Sequence, residues 1–207
     1  ADKYHGWKYL GFSPDGFLYV SVGMPCNVCI SHDKRHGSIL RLDVKTGKTE
    51  IYASGIRNSV GFDWRPKSKE LWFTDNGRDW LGDENPPDEL NRAYRKGLDF
   101  GFPYVHGKNI HDPEYKLSEE LLKDSKRFLK PEWELDAHVA PLGMVFYTGD
   151  QFPAEYKHKI IIAEHGSWNR SQKAGYQLVI VTESKYKVES VKPFVSGWLK
   201  KGEDTED

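Results

Sequence analysis

The stretch GFSPDGFLYVSVG, residues 11–23, returns fifty residues later as GFDWRPKSKELWFTDNG, residues 61–77. A third copy, GMVFYTGDQFPAEYKHKIIIAEHG, occupies residues 143–166. A second half-unit also recurs: GSILRLDVKTGKTEIYASG at 37–55 is answered by GYQLVIVTESKYKVESVKPFVSG at 175–197. Each half reads as two strands around a turn. Four antiparallel strands in about 40–50 residues is the signature of a propeller blade. An ordinary β-sandwich with chance internal similarity is the competing architecture.

The runs between the turns support an all-β reading. Phe17–Val22, Ser38–Val44, Thr49–Ala53, Glu70–Thr74, Met144–Tyr147, Lys159–Ala163, Gln177–Thr182 and Ser190–Val195 are rich in β-branched and aromatic residues. Turn chemistry punctuates them: Ser13-Pro14-Asp15-Gly16, Thr46-Gly47-Lys48 and Asp75-Asn76-Gly77. Pro193 confines the last run to a sheet edge, because proline cannot donate to a central ladder. The third copy lags, which predicts a long insertion over about residues 79–136. Within it, Leu117–Phe128 has the apolar spacing of a short amphipathic helix.

Composition narrows the function. Thirty Lys and Arg against thirty-one Asp and Glu leave a formal charge of −1. That balance argues against a nucleic-acid or membrane-surface binder. No apolar run reaches the ~18–20 residues of a membrane span. Aromatic residues make up 14% of the chain, which separates it from disordered sequences.

Several residues could carry chemistry. The stretch Asp75–Asn91 holds six carboxylates, Asp75, Asp79, Asp83, Glu84, Asp88 and Glu89, in a Gly/Pro-rich context. Such a loop is either solvated or holds a hard cation such as Ca²⁺. His5, His138 and His165 flank blade strands, and a histidine near its reference pKa of ~6.5 suits general-base work. Arg57-Asn58 follows a strand end, where the guanidinium fork suits a carboxylate or an oxyanion. Cys26 and Cys29 have no second pair to complete a metal site, so they read as a local disulfide or two free thiols.

Taken in order, these pieces resemble the soluble quinoprotein sugar dehydrogenases, most closely the sorbosone and aldose sugar dehydrogenase-like branch. The resemblance is carried by His5-Gly-Trp-Lys-Tyr-Leu10, Ser13–Tyr19 with Gly23, Ser38-Ile-Leu-Arg-Leu42 and Ser54-Gly-Ile-Arg57-Asn58. It continues through Asp88-Glu89-Leu-Asn91, Phe100-Gly-Phe-Pro103 and His138-Val-Ala-Pro141-Leu-Gly-Met144. It implies a six-bladed β-propeller that binds pyrroloquinoline quinone and Ca²⁺ and oxidises an aldose at C1, passing hydride to the quinone and electrons onward to an acceptor. On this resemblance His5 is the base, Arg57 polarises the quinone oxygen or steadies charge, and Asn58 holds the cofactor. Main-chain carbonyls around Gly77 and Arg78 bind calcium, with Asp88 and Glu89 as acidic support. Family members are periplasmic or secreted, which a cysteine pair tolerates.

Departures from the family pattern also carry information. Tyr4 stands where some relatives have an acid, and the loop Met24-Pro-Cys-Asn27 differs, so the sugar preference does not carry over. A cofactor-contacting Lys is out of register; Glu164–Arg170 occupies its place, with His165 or Arg170 as substitutes. The family's late arginine pair would lie beyond Trp198. Two other functions compete: a calcium-dependent propeller lactonase recruiting Asp75, Asp88 and Asn58, and a non-catalytic binding propeller. At about 50 residues per blade, 207 residues hold three to four blades. The chain is therefore expected to be a segment of a larger propeller that holds the base and part of the calcium loop but binds cofactor poorly.

Overall fold

The computed structural model describes residues 4–199 except 120, 122, 123, 125 and 126. Three four-stranded antiparallel meanders follow one another along the chain. The first blade is β1 (Leu10–Phe12), β2 (Leu18–Val22), β3 (Ser38–Leu42) and β4 (Thr49–Ser54). The second begins with β5 (Phe62–Trp64), β6 (Leu71–Asp75) and β7 (Pro87–Ala93). The chain then leaves the sheet. β8 (Leu98–Asp99) pairs in parallel with β4, and β9 (Val105–His106) forms a small hairpin with β10 (Ile110–His111). It returns as β11 (Trp133–Ala137), which pairs with β7 to complete the second blade. The third blade is β12 (Pro141–Phe146), β13 (Ile160–Glu164), β14 (Gln177–Ser184) and β15 (Lys187–Val195). Pro193 lies in β15, at the sheet edge as expected.

The insertion is shorter than the sequence predicts. Two stretches inside the expected 79–136 segment, β7 and β11, are the third and fourth strands of the second blade, so the excursion runs only between them. β7 hides because Asp88, Glu89 and Asn91 are buried polar residues that break the apolar alternation of a strand. The helix expected over Leu117–Phe128 falls in part on residues outside the described ones.

The blades stack face to face, and the middle one is covered on both sides. Along β6, Leu71 and Phe73 enter a core with Tyr19, Ile39 and Ala53 of the first blade. The alternate residue, Trp72, points the other way, into a core with Met144, Phe146, Ile160 and Ile162 of the third. All five residues of β6 are therefore buried. At the narrow end the inner strands nearly touch. A Cβ on Gly61 would lie 2.6 Å from the Leu142 carbonyl oxygen, so only glycine fits there. The outward faces of the stack are uncovered: Leu10 and Phe12 of β1 and Val145 of β12 are exposed.

This asymmetry predicts the cost of truncation. Phe73→Ala, which empties the first interblade core, is expected to lose about 3–5 kcal/mol in urea unfolding. Phe12→Ala, on an exposed face, is expected to change stability by no more than about 0.5 kcal/mol.

Candidate active site

In antiparallel meanders, the start of the first strand, the loop between the second and third, and the exit of the fourth all lie at one end. That end carries the entry to β1, the β2–β3, β4–β5 and β6–β7 loops, and the β11–β12 and β13–β14 loops. A cleft of about 360 Å³ opens among them, lined by Tyr4, His5, Arg57, Asn58, Asn76, Gly77, Asp79, Asp88, His138, Ala140 and Trp168.

Two carboxylates of the second blade build the cleft. Asp75, at the end of β6, accepts hydrogen bonds from the backbone N–H of Arg57 (2.9 Å) and of Asn58 (2.6 Å). Asp88, on β7, accepts from the N–H of Gly77 (2.7 Å) and of Ala140 (2.9 Å). Each thus fixes a loop of a neighbouring blade or of its own. Burial pushes both up to about 7, against the downward pull of their amide partners. Glu89 turns away from the cleft: it accepts from Gly107 N–H and from the Asn91 side chain, and burial beside Asp75 pushes it up to about 8. Asp79 is also buried, whereas Glu84 is exposed. The acidic stretch is therefore not a solvated loop as a whole.

Arg57 is held on all sides. Its Nε donates to the Asn27 carbonyl (2.8 Å), Nη1 to the Asn76 carbonyl (3.2 Å), and Nη2 to Asn27 Oδ1 (2.9 Å) and Asp79 (3.0 Å). Asn27 stands at the crossing of three loops, because its Oδ1 also accepts from Asp79 N–H and its Nδ2 donates to the Asp79 carbonyl. Asn27 sits within a four-residue loop closed by a disulfide between Cys26 and Cys29, which resolves the sequence alternatives in favour of the bonded pair. The sequence marked Asp79 only as one of six carboxylates and Asn27 only as the end of the Met24–Asn27 loop, and it marked Asn76 only as a turn residue.

His5 is placed by close contact. A Cβ on Gly23 would meet Asn58 Oδ1 at 2.6 Å and the His5 Cβ at 2.8 Å, so glycine lets both side chains approach. His5 Nδ1 lies 2.8 Å from the Met24 carbonyl oxygen. A carbonyl only accepts, so Nδ1 carries the proton and Nε2 keeps its lone pair. Burial and the nearby positive charge of Arg57 lower the His5 pKa to about 4, which keeps the imidazole neutral at pH 7.

The remaining expected residues separate. Gly77 lines the cleft, but the Arg78 side chain turns into the excursion, where it pairs with Asp112 (2.7 Å) and Glu114 (2.7 Å). His165 is exposed and does not line the cleft. Arg170 donates to the Asp83 and Ala137 carbonyls and pairs with Glu84, beside an adjoining cavity. Among the described residues no three His, Cys, Asp or Glu side chains group as a metal cage. Among the described residues Asn58 and Asn76 each keep a buried side-chain oxygen with no hydrogen-bond partner, so the acceptors fit for a hard cation are amide and carbonyl oxygens.

Residues 2–167 match the glucose/sorbosone dehydrogenase family. The chain belongs to that family. An uncharacterised protein of Borreliella burgdorferi is 46% identical over 199 residues, which is 95% of this chain and 52% of the relative. The fold is also similar to a calcium structure of a Trichoderma reesei carbohydrate-active enzyme of family AA12 (TM-score 0.73, 21% identity, 91% of this chain and 56% of that one). The holo pyranose dehydrogenase PQQ domain of Coprinopsis cinerea has a TM-score of 0.72 at 18% identity, covering 99% of this chain and 59% of that one. The soluble aldose sugar dehydrogenase of Escherichia coli has a TM-score of 0.63 at 23% identity, covering 89% and 52%. The chain spans about half the length of these relatives. Membership of the glucose/sorbosone dehydrogenase family makes the cleft the place to look for chemistry, and Asn27 the residue that holds its charges in place. Asn27→Ala strands the Asp79 N–H donor and takes one of the two acceptors of Arg57 Nη2. It is expected to cost about 1–3 kcal/mol in chemical denaturation.

Proposed function

We propose that the protein oxidises an aldose at C1 in this cleft, with His5 as general base and a pyrroloquinoline quinone and Ca²⁺ pair as cofactors. The observation that carries this is the His5 tautomer: Nδ1–H is committed to the Met24 carbonyl, which leaves Nε2 as a proton acceptor at the cleft. Family membership supplies the sugar dehydrogenase class. When bound, the quinone supplies a two-electron acceptor and calcium polarises its oxygens.

The chain's own residues do the rest. His5 Nε2 takes the proton of the C1 hydroxyl as that carbon is oxidised, and the Met24 carbonyl steadies the imidazolium through Nδ1–H. Arg57 presents a fixed positive charge to cofactor oxygens, its geometry set by Asn27, Asn76 and Asp79. Asn58, with Asn76 and the backbone around Gly77, is suited to hold the cation; Asp88 keeps Gly77 in position through its N–H. The reading assigns no cofactor contact to His165, Glu89 or the Arg78 side chain, and keeps the Arg78 main-chain carbonyl beside Gly77 for the cation. A small neutral sugar as substrate and a separate electron acceptor as partner follow from the class. No helix among the described residues is long and apolar enough to cross a membrane. The disulfide fits an oxidising compartment, periplasmic or extracellular.

The test is dye reduction by aldoses with added quinone and Ca²⁺. Activity is expected with the quinone at saturating concentration, and His5→Ala is expected to lower kcat by about 10²–10⁴-fold. Activity untouched by His5→Ala would overturn the assignment. The acid limb of the kcat/KM profile is expected near pH 4 rather than 6.5, because the free-enzyme base titrates there. The sign for stability is the same. A histidine depressed in the folded state contributes stability present above pH 6.5 and lost as pH falls toward 4. His5→Gln is expected to flatten the melting temperature over that window.

A further inference from the structure

A second cavity, of about 490 Å³, adjoins the cleft and shares Trp168 with it. Its other lining residues include Trp80, Asp83, Asn169 and Ser171. Trp80 and Trp168 come from loops of different blades and meet edge to face, with ring centroids 5.4 Å apart. Both stay open to solvent, at 66% and 60% exposure. Trp80 is also held at φ 69°, a left-handed conformation that a bulky side chain adopts at a cost of about 1–3 kcal/mol. Core burial does not repay that cost, since the ring faces water.

The surrounding contacts brace this arrangement. His138 Nε2 lies 2.9 Å from the Gly82 carbonyl, and Arg170 donates to the Asp83 carbonyl and pairs with Glu84. Ser171 donates to Asp83 through both its N–H and its hydroxyl. The two tryptophan loops are thereby pinned together. One polar group in the wall is unspent: Asn169 Nδ2 is buried and has no hydrogen-bond partner among the described residues.

Two exposed aromatic faces and a carboxylate acceptor in the cavity wall match one ligand chemistry. A pyranose ring presents C–H faces to aromatic rings and hydroxyls to polar groups at its rim. We propose that this cavity is a second sugar subsite, which holds the next ring of an oligosaccharide or glycoside whose terminal aldose enters the cleft through the shared Trp168. The proposal deepens the sugar-oxidation reading and rests on it for the direction of the chain. Its binding step needs neither cofactor nor turnover.

The test measures binding of saccharides that cannot be oxidised at C1, by calorimetry and by intrinsic tryptophan fluorescence on the full chain without quinone. The probes are trisaccharide alditols of α- and β-linked glucose, compared with glucitol. At least one trisaccharide alditol is expected to bind about tenfold or more tighter than glucitol and to shift tryptophan emission. Trp80→Ala is expected to erase that advantage, and Trp80→Tyr, which keeps an aromatic face, to retain part of it. Equal affinity for glucitol and the trisaccharide alditols, no binding of any probe at millimolar concentration, or an advantage that survives in the Trp80→Ala, Trp168→Ala double variant overturns the subsite. A chain that binds trisaccharides but reduces no dye would overturn the oxidation reading and leave the subsite standing.

Discussion

The loop end of this stack is tied together by carboxylates that leave the middle blade to grip backbone N–H groups of its neighbours. Asp75 reaches toward the first blade and takes two consecutive amides, those of Arg57 and Asn58. Asp88 reaches toward the third and takes Ala140, while it also fixes Gly77. Asp63 repeats the device deeper in the sheet, accepting from Phe146 N–H at 2.7 Å. Apolar faces alone would let blades slide, because burial is proportional to area and has no direction. A buried carboxylate with two amide donors fixes distance and angle together. The cost is burial of charge, visible in the raised pKa of both Asp75 and Asp88.

The same device explains why the site is stiff where it must be exact. Arg57 and Asn58 are neighbours in sequence, and their backbone is clamped by Asp75 while the guanidinium is clamped by Asn27, Asn76 and Asp79. Burial disfavours both the Arg57 and Asp79 charges, so removing one partner would leave the other buried and unpaired. His5 is held differently, by one backbone carbonyl and by the absence of a side chain at Gly23. The role proposed for His5 requires proton exchange, so one nitrogen stays uncommitted. The role proposed for Arg57, a fixed charge, has no such need.

The blade pattern was legible in the sequence wherever strands are apolar and wherever glycine closes a unit. The copies beginning at Gly11, Gly61 and Gly143 each correspond to the first hairpin of a blade, and the 37–55 and 175–197 halves to the second hairpins of the first and third. The second hairpin of the middle blade escaped. Its strand β7 spends its inward positions on Asp88, Glu89 and Asn91, and its partner β11 lies some forty residues further along the chain. Alternation of apolar residues reports burial only when what is buried is apolar. Here, polar burial is what the site requires, so the rule fails beside the chemistry and succeeds away from it.

Site residues divide along the same line. His5, Arg57, Asn58, Gly77 and Asp88 could be named from motifs because each motif fixes a backbone position at the loop end, and the fold then brings those ends together. Long side chains were harder, since their reach lets them leave the place their backbone occupies. The Arg78 guanidinium leaves for Asp112 and Glu114, while the main-chain carbonyl expected to bind calcium stays with the backbone beside Gly77. Arg170 reaches across to the 83–84 segment of another blade and braces the wall instead of lining the cleft. Sequence order predicts where a backbone arrives at a site; the pairing of charges decides which side chains remain there to act.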